Sequence, residues 1–197
     1  MAAEHRGEED RGMSPAGERL LVRAIGGVIR NAQEGELPLF AWTLGLPQAE
    51  LVKLLAHCYP ELGPMEPMPE PQYHAISRAA PPEHGRLVTL LLAGRSQQAD
   101  PRHAAWLAHA IAAAALGSRH LWEDMGLGER ADVSALLRHY FEPLYRRNTG
   151  QLKWKRFLFR ELAELTGGYG GCVPDCSRCT QKTTCFPQSV PGQYEFP

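Results

Sequence analysis

The sequence DPRHAAWLAHAIAAAALG, residues 100–117, has the pattern of a helix that packs closely on its neighbours. Asp100 is a favourable N-cap, and Pro101 suits the first helical position. The small residues indicate close helix–helix contact, and Gly117 is suited to a helix end. Apolar side chains recur at helical spacing at Trp106, Leu107, Ala110, Ile111 and Ala114.

Helical patterns continue on both sides of this stretch. Upstream, they predict a helix that begins at Ser14–Pro15, a short helix over 37–44, a helix that opens at Pro47, and a helix over 83–93. Downstream, they predict one amphipathic helix over 130–145 and a further helix with a basic face. No alternating strand pattern stands out. The predicted fold class is therefore all-α, with a single helical domain of about six or seven helices.

The chain divides into three predicted regions. Residues 1–13 are charged and rich in glycine, which predicts a disordered tail. Residues 14–166 form the helical domain, and 167–197 form an irregular, cysteine-rich, metal-binding segment with a tail. Within the domain, the proline-rich stretch 59–82 is predicted to be a long irregular connection. Its His74 is expected to be solvated rather than to bind a ligand.

Composition limits the classes of function. The 197 residues are 44% hydrophobic and 22% charged, and the formal net charge is −1. A near-neutral chain lacks the basic bias of a nucleic-acid-binding protein. The apolar run 104–116 is too short to span a membrane and is interrupted by His109. We therefore expect a cytoplasmic monomer that binds neither nucleic acid nor membrane. No phosphate loop or nucleophile motif indicates an enzyme.

Four of the five cysteines lie within fourteen residues, in CVPDCSRCTQKTTC at 172–185. Their spacing is C-x3-C-x2-C-x5-C, and four thiolates on one short segment suit an iron–sulfur cluster, zinc or copper(I). A structural zinc site is the main alternative. A disulfide pair is disfavoured in a reducing compartment. The spacing of the first three also occurs in radical SAM enzymes, but those place it near the start of an α/β barrel. The fifth, Cys58, is expected to be a small buried residue.

A polar and aromatic turn over 119–127 separates two predicted helices. His120 and Asp124 are four residues apart, so they share one face if the turn is helical. A histidine and a carboxylate there could bind a metal or relay a proton. The alternative is structural, with Asp124 orienting His120 by a hydrogen bond and capping a helix end.

A basic run directly precedes the cysteines, with no acidic residue inside it. Such a run is usually the solvated face of a helix. It could instead attract an oxyanion or dock an acidic protein partner. The run comprises Arg146, Arg147, Lys153, Lys155, Arg156 and Arg160. The last four of these are the predicted docking residues.

Three stretches together resemble the NifQ family of nitrogen fixation proteins. They are SRHLWEDMGLGER at 118–130, LYRRNTGQLKWKRFLFRELAE at 144–164, and the cysteine segment itself. Weaker likeness extends the resemblance to about 18–187. One difference is that the interval between Cys172 and Cys176 is one residue shorter than in the family pattern. The order of the blocks and their helical context also match.

The resemblance implies a molybdenum carrier rather than an enzyme. Carried over to this chain, Cys172, Cys176, Cys179 and Cys185 would bind an iron–sulfur cluster that takes up molybdenum. The resemblance also implies delivery to the nitrogenase cofactor-assembly scaffold NifEN, with the iron protein NifH taking part. His120 would assist molybdenum. The alternative function is a zinc-stabilised helical protein-interaction module.

Overall fold

The computed structural model describes residues 15–167, and every regular element in that range is helical. This confirms the all-α class. Two 3₁₀ helices, Leu39–Thr43 and Pro60–Leu62, accompany the α-helices. Within the described range, no helix has both the length and the apolar character needed to cross a membrane. The α-helices are α1 (Pro15–Gln33), α2 (Gln48–Cys58), α3 (Glu70–Ser77), α4 (Pro82–Ala93), α5 (Pro101–Ala115), α6 (Leu121–Asp124), α7 (Arg130–Tyr140), α8 (Glu142–Arg147) and α9 (Trp154–Leu165).

Helix α5 lies in the core, as its sequence predicts. Asp100 caps it, because the carboxylate accepts a hydrogen bond of 2.8 Å from the backbone N–H of His103. Every residue from Ala110 to Ala115 is buried. Helices α1 and α4 pack against it. The alanines leave no bulk between the helices, so the backbones approach closely and apolar surface leaves water.

Helix α1 meets the turn after α6 at a pair of glycines. A Cβ atom on Gly27 would lie 2.2 Å from the carbonyl oxygen of Met125 and 2.8 Å from the Cα atom of Gly126. Gly126 also has a φ of 62°, a conformation that glycine adopts at little cost. The contact therefore requires glycine at both positions and brings α1 directly against the candidate site.

The stretch 59–82 is more regular than predicted. It contains the second 3₁₀ helix and α3, whose first turn includes Pro71. Proline is tolerated there because its missing N–H would have no partner inside the helix. Only Tyr73 of α3 is buried, and its hydroxyl donates a 2.7 Å hydrogen bond to the carbonyl of Leu46. One buried residue gives no periodicity, which explains the wrong prediction. His74 is exposed, as expected.

The single helix predicted over 130–145 is two helices, α7 and α8. Pro143, in the first turn of α8, could not continue α7, because proline lacks an N–H and clashes with the preceding turn. Ser96 provides hydrogen-bond partners for backbone groups at this break between the two helices. Its N–H donates to the carbonyl of Tyr140 at 2.8 Å, and its Oγ accepts from the N–H of Glu142 at 2.9 Å. The short helix predicted over 37–44 is the 3₁₀ helix Leu39–Thr43.

Candidate functional site

The candidate site is built on α6, the one-turn helix that follows α5. His120 is its N-cap residue, and its backbone N–H donates a 2.8 Å hydrogen bond to Oε2 of Glu123. The N–H of Asp124 then bonds the carbonyl of His120 at 3.0 Å. The predicted turn is therefore helical, and both sequence-predicted residues lie on it.

The carboxylate of Asp124 is fully buried and held by two cations. Its Oδ2 lies 2.5 Å from Nζ of Lys155 in α9, and its Oδ1 accepts a 3.0 Å hydrogen bond from Nε of Arg119. Lys155 also donates to the carbonyl of Gly117 at 2.8 Å. A Cβ on Gly117 would lie 2.4 Å from Oδ2 of Asp124, so a glycine is needed for this approach. The pair thus ties α6 and the end of α5 to α9.

Helix α1 supports the same turn through its backbone. The side-chain amide of Asn31 donates to the carbonyls of Glu123 and Asp124, at 3.0 and 2.9 Å. On the solvent side, Arg119 lies 3.5 Å from Glu36. Carbonyls at the end of a one-turn helix have no partners within that helix, so Asn31 provides what the helix cannot. Contacts from α1 and α9, together with Arg119 and its partner Glu36, therefore fix this turn.

Burial lowers the pKa of the Lys155 amine, and the negative charge of Asp124 opposes that shift. Only 8% of Lys155 is exposed. An ammonium with two close oxygen acceptors is the usual form of a buried lysine that is paired. Lys155 therefore cannot reach a protein partner, and its prediction as a docking residue is wrong. The misleading signal was its membership of the basic run, which is usually the solvated face of a helix.

The predicted pairing of His120 with Asp124 is also wrong. Both carboxylate oxygens of Asp124 are engaged by Lys155 and Arg119, and the residue has no exposed surface. Asp124 therefore pairs with these two cations rather than orienting the imidazole. His120 is partly exposed, and its ring stacks on Trp122 with the centroids 6.5 Å apart. Asp124 acts on His120 only by holding the turn that carries it.

The remaining basic residues of α9 are partly offset by acidic ones. Arg160 is exposed and lies 3.3 Å from Glu161 and 3.7 Å from Glu164. Its guanidinium also sits 5.5 Å from the ring centroid of Phe157. Arg147 pairs with Glu161 at 2.9 Å. The half-buried Lys153 and Arg156 also lie on α9 or at its start. The positive surface is therefore smaller than the sequence suggests.

The four clustered cysteines, residues 172–185, lie outside the described residues. The fifth, Cys58, is buried as predicted, and burial raises the pKa of its thiol to about 11. A thiol with that pKa stays protonated near neutral pH, so it does not serve as a ready thiolate ligand. Across 15–167, no group of three or more His, Cys, Asp or Glu side chains is arranged to hold a metal. The four clustered cysteines therefore stay a predicted metal site.

Sequence reasoning missed Asn31 and Arg119, which complete the site. Asn31 bonds backbone carbonyls more than 90 residues away, which no local pattern reports, and Arg119 lies five residues before Asp124, outside the i+3 and i+4 spacings that mark helix neighbours. Lys155 did carry a signal. It precedes Leu158 by three residues and Leu162 by seven, which places it on the apolar stripe of α9. A cation on a buried stripe predicts a buried carboxylate partner.

Together these features define an all-α protein whose helical body is closed by a buried ion pair and leads, through α9, towards a four-cysteine segment. The NifQ family model matches residues 24–187. The chain therefore belongs to the NifQ family, which links it to nitrogen fixation. The match spans the helical body and all four clustered cysteines.

Individual relatives agree with the family match. Protein NifQ of Azotobacter vinelandii is 33% identical over 81% of this chain and 84% of its own. Protein NifQ of Rhodobacter capsulatus is 32% identical over 80% of this chain and 83% of its own. Protein NifQ of Klebsiella pneumoniae is 36% identical over 48% of this chain and 55% of its own. No solved structure matches the chain.

Proposed function

We propose that this protein is a molybdenum carrier for assembly of the nitrogenase iron–molybdenum cofactor. In this proposal, Cys172, Cys176, Cys179 and Cys185 hold an iron–sulfur cluster, and molybdenum is the cargo. The protein would act in the cytoplasm as a carrier rather than an enzyme, passing molybdenum to the scaffold NifEN with NifH taking part. Thiolates are the donors that iron–sulfur clusters use, so the donor set fits. The cluster would supply sulfur ligands that bind reduced molybdenum.

One observation carries the proposal: the family match runs from residue 24 to residue 187, so it includes the helical body and the cysteines together. A simple four-cysteine motif could belong to many proteins. The combination of this body with this spacing is distinctive, and the chain covers most of the length of its relatives from Azotobacter and Rhodobacter.

The helical body also supports the proposal that the fold does not depend on the metal segment. Residues 15–167 bury a continuous apolar core around α5. A structural zinc site usually supplies folding energy to a chain that cannot close its own core. The core therefore favours a functional metal over the alternative, a zinc-stabilised interaction module.

His120 is proposed to help bind molybdenum rather than to help hold the iron–sulfur cluster itself. Imidazole nitrogen is a harder ligand than thiolate, so the two donors suit different metals or different positions on one centre. The turn that carries His120 is held by Asn31 and Asp124, so its backbone position is fixed before any metal binds. A fixed turn with a partly exposed imidazole is suited to a transient ligand.

The decisive experiment is iron, molybdenum and zinc analysis of protein purified anaerobically from cells fed molybdate. We expect brown protein that contains iron and molybdenum. Cys176→Ala and Cys179→Ala should lose both metals yet keep the helical circular dichroism, whereas Cys58→Ala, the matched cysteine control, should keep both. Colourless protein that contains zinc, and that unfolds when the cysteines are replaced, would contradict the proposal and identify the zinc module.

A second comparison addresses His120. His120→Ala should keep normal iron but contain less molybdenum, while Asp124 and the fold remain intact. His74→Ala, an exposed histidine outside the site, is the control. Unchanged molybdenum in His120→Ala would refute a role for this imidazole.

A further inference from the structure

A concave site whose lining includes no residue of the α6 turn lies against α1. It is a cavity of about 790 Å³ between α1, α2 and the chain that links α2 to α3. Its lining is mostly apolar, with Trp42, Leu55, Met65 and Met68 among its residues. A volume of this size lies within the range of small-molecule sites, about 300–1,000 Å³.

The walls of this cavity are pinned by hydrogen bonds. On one side, the amide of Gln48 donates to the carbonyl of Met68 at 2.8 Å, and Tyr73 bonds Leu46 behind it. On the other side, Tyr59 lies across Gly26 of α1. A Cβ on Gly26 would come within 1.8 Å of the Tyr59 hydroxyl. The cavity is therefore formed by the fold itself and does not need a ligand to open it.

Two charged residues line the cavity, Arg30 of α1 and Glu66 of the linking chain. Among the described residues, neither forms an ion pair. Burial raises the pKa of Tyr59, which lines the cavity, and the positive charge of Arg30 opposes that shift in part. The charge of Arg30 therefore acts at the cavity wall. An exposed guanidinium beside an apolar cavity is well placed to bind an anionic head group, because it presents several N–H donors in a plane.

We propose that this cavity binds a small amphiphilic organic anion. Its apolar body would occupy the space between Leu55, Trp42 and the two methionines, and its carboxylate or similar head would lie against Arg30 at the rim. Methionine side chains adapt to irregular apolar ligands. The residues that line this cavity have no part in the proposed carrier function, so the inference stands whether or not the chain carries molybdenum.

Titration calorimetry with decanoate, below its aggregation threshold, tests the site on the full chain, with decanol as the neutral probe. We expect one decanoate per chain. Val52→Trp fills the cavity and should weaken binding at least tenfold. Ala56→Trp, on the exposed face of the same helix, should leave binding unchanged. If circular dichroism shows that Val52→Trp is unfolded, Leu55→Gln, which makes the cavity wall polar, replaces it.

The charge variants test the orientation. Arg30→Gln should weaken decanoate several-fold and leave decanol unchanged, whereas Glu66→Gln should not weaken decanoate. The proposal fails if decanoate shows no saturable binding, if Val52→Trp or its replacement binds as wild type does, or if Arg30→Gln has no selective effect. It also fails if light scattering reveals a dimer that Val52→Trp abolishes, because a second copy would then be the occupant.

Discussion

Lys155 and Asp124 form a buried ion pair, with Nζ 2.5 Å from Oδ2, although 31 residues separate them in sequence. Removing two charges from water costs several kcal/mol for each ion, and their attraction offsets this only when other hydrogen bonds are also made. Here Gly117 and Arg119 supply those bonds. The pair therefore fixes how α9 lies against α6, the turn that carries His120.

The first prediction concerns this pair. Asp124→Asn or Lys155→Met alone should reduce the free energy of unfolding by about 3 kcal/mol, because each leaves a buried partner without its counter-charge. The double variant should lose less free energy of unfolding than the two single variants lose together, since it leaves neither charge of the pair buried without the other. Urea unfolding followed by circular dichroism measures all three.

Arg160→Met is the control for those variants, because Arg160 is an exposed cation of the same helix and its buried partner Glu161 keeps a second cation, Arg147. It should change the free energy of unfolding by no more than about 0.5 kcal/mol. Single variants at Asp124 and Lys155 as mild as this control would show that the pair does not stabilise the fold.

The glycine contact between α1 and the turn gives a second prediction. Gly27→Ala should destabilise the protein by about 2 kcal/mol or more, because the new Cβ meets backbone atoms that cannot rotate away. Gly85→Ala, in α4 with open space around it, should instead stabilise by about 0.5–1 kcal/mol through helix propensity. Equal effects of the two substitutions would contradict the close approach. Thermal unfolding of both variants makes the comparison.

Much of the fold and the turn that carries His120 and Asp124 could be predicted from local patterns, whereas the partners of Asp124 could not. The cap at Asp100 and the buried stripe of α5 depend on neighbours within a few residues, which periodicity reports. The α7–α8 break depends on Pro143 and on Ser96, which is 46 residues away from its partner Glu142. Likewise, the buried role of Lys155 depends on a carboxylate from another helix. The periodicity of a sequence predicts which face of a helix is apolar, but not which polar group on another helix packs against that face.

Acid should weaken the fold through His84. This residue is buried beside His109, with ring centroids 5.5 Å apart, and burial lowers the pKa of His84 from 6.5 to about 4. The folded state thus favours the neutral ring, and its contribution to stability is complete above pH 6.5. As the pH falls towards 4, the unfolded chain binds the proton first, so stability is lost. The loss assigned to His84 should be up to about 3 kcal/mol.

The measurement for His84 is the free energy of unfolding at several pH values between 7 and 4. Carboxylates also titrate in this range, so the difference between wild type and His84→Gln is the informative quantity. The variant should show a shallower decline, while His74→Gln, at an exposed site, should follow wild type. Parallel declines for wild type and His84→Gln would rule out this histidine as the source.

The last prediction concerns partner docking and depends on the proposed carrier function. Lys155 is excluded because it is buried, and Arg160 is partly offset by Glu161 and Glu164. Lys153 and Arg156 are partly exposed and lie at the start of the helix that precedes the cysteines in sequence. A carrier must hold its acceptor only briefly. Charge complementarity suits that, because it raises the association rate more than it slows release.

Lys153→Glu combined with Arg156→Glu should therefore keep the fold and the iron but deliver molybdenum to the scaffold more slowly. Wild-type delivery should also slow as salt rises, since exposed charges are screened beyond about 10 Å at 0.1 M ionic strength. Lys53→Glu combined with Arg102→Glu makes the same change in net charge on exposed parts of α2 and α5 and should deliver normally. If both double variants slow delivery equally, net charge and not this surface governs the encounter. If neither does and salt has no effect, these side chains serve only as the solvated surface of α9.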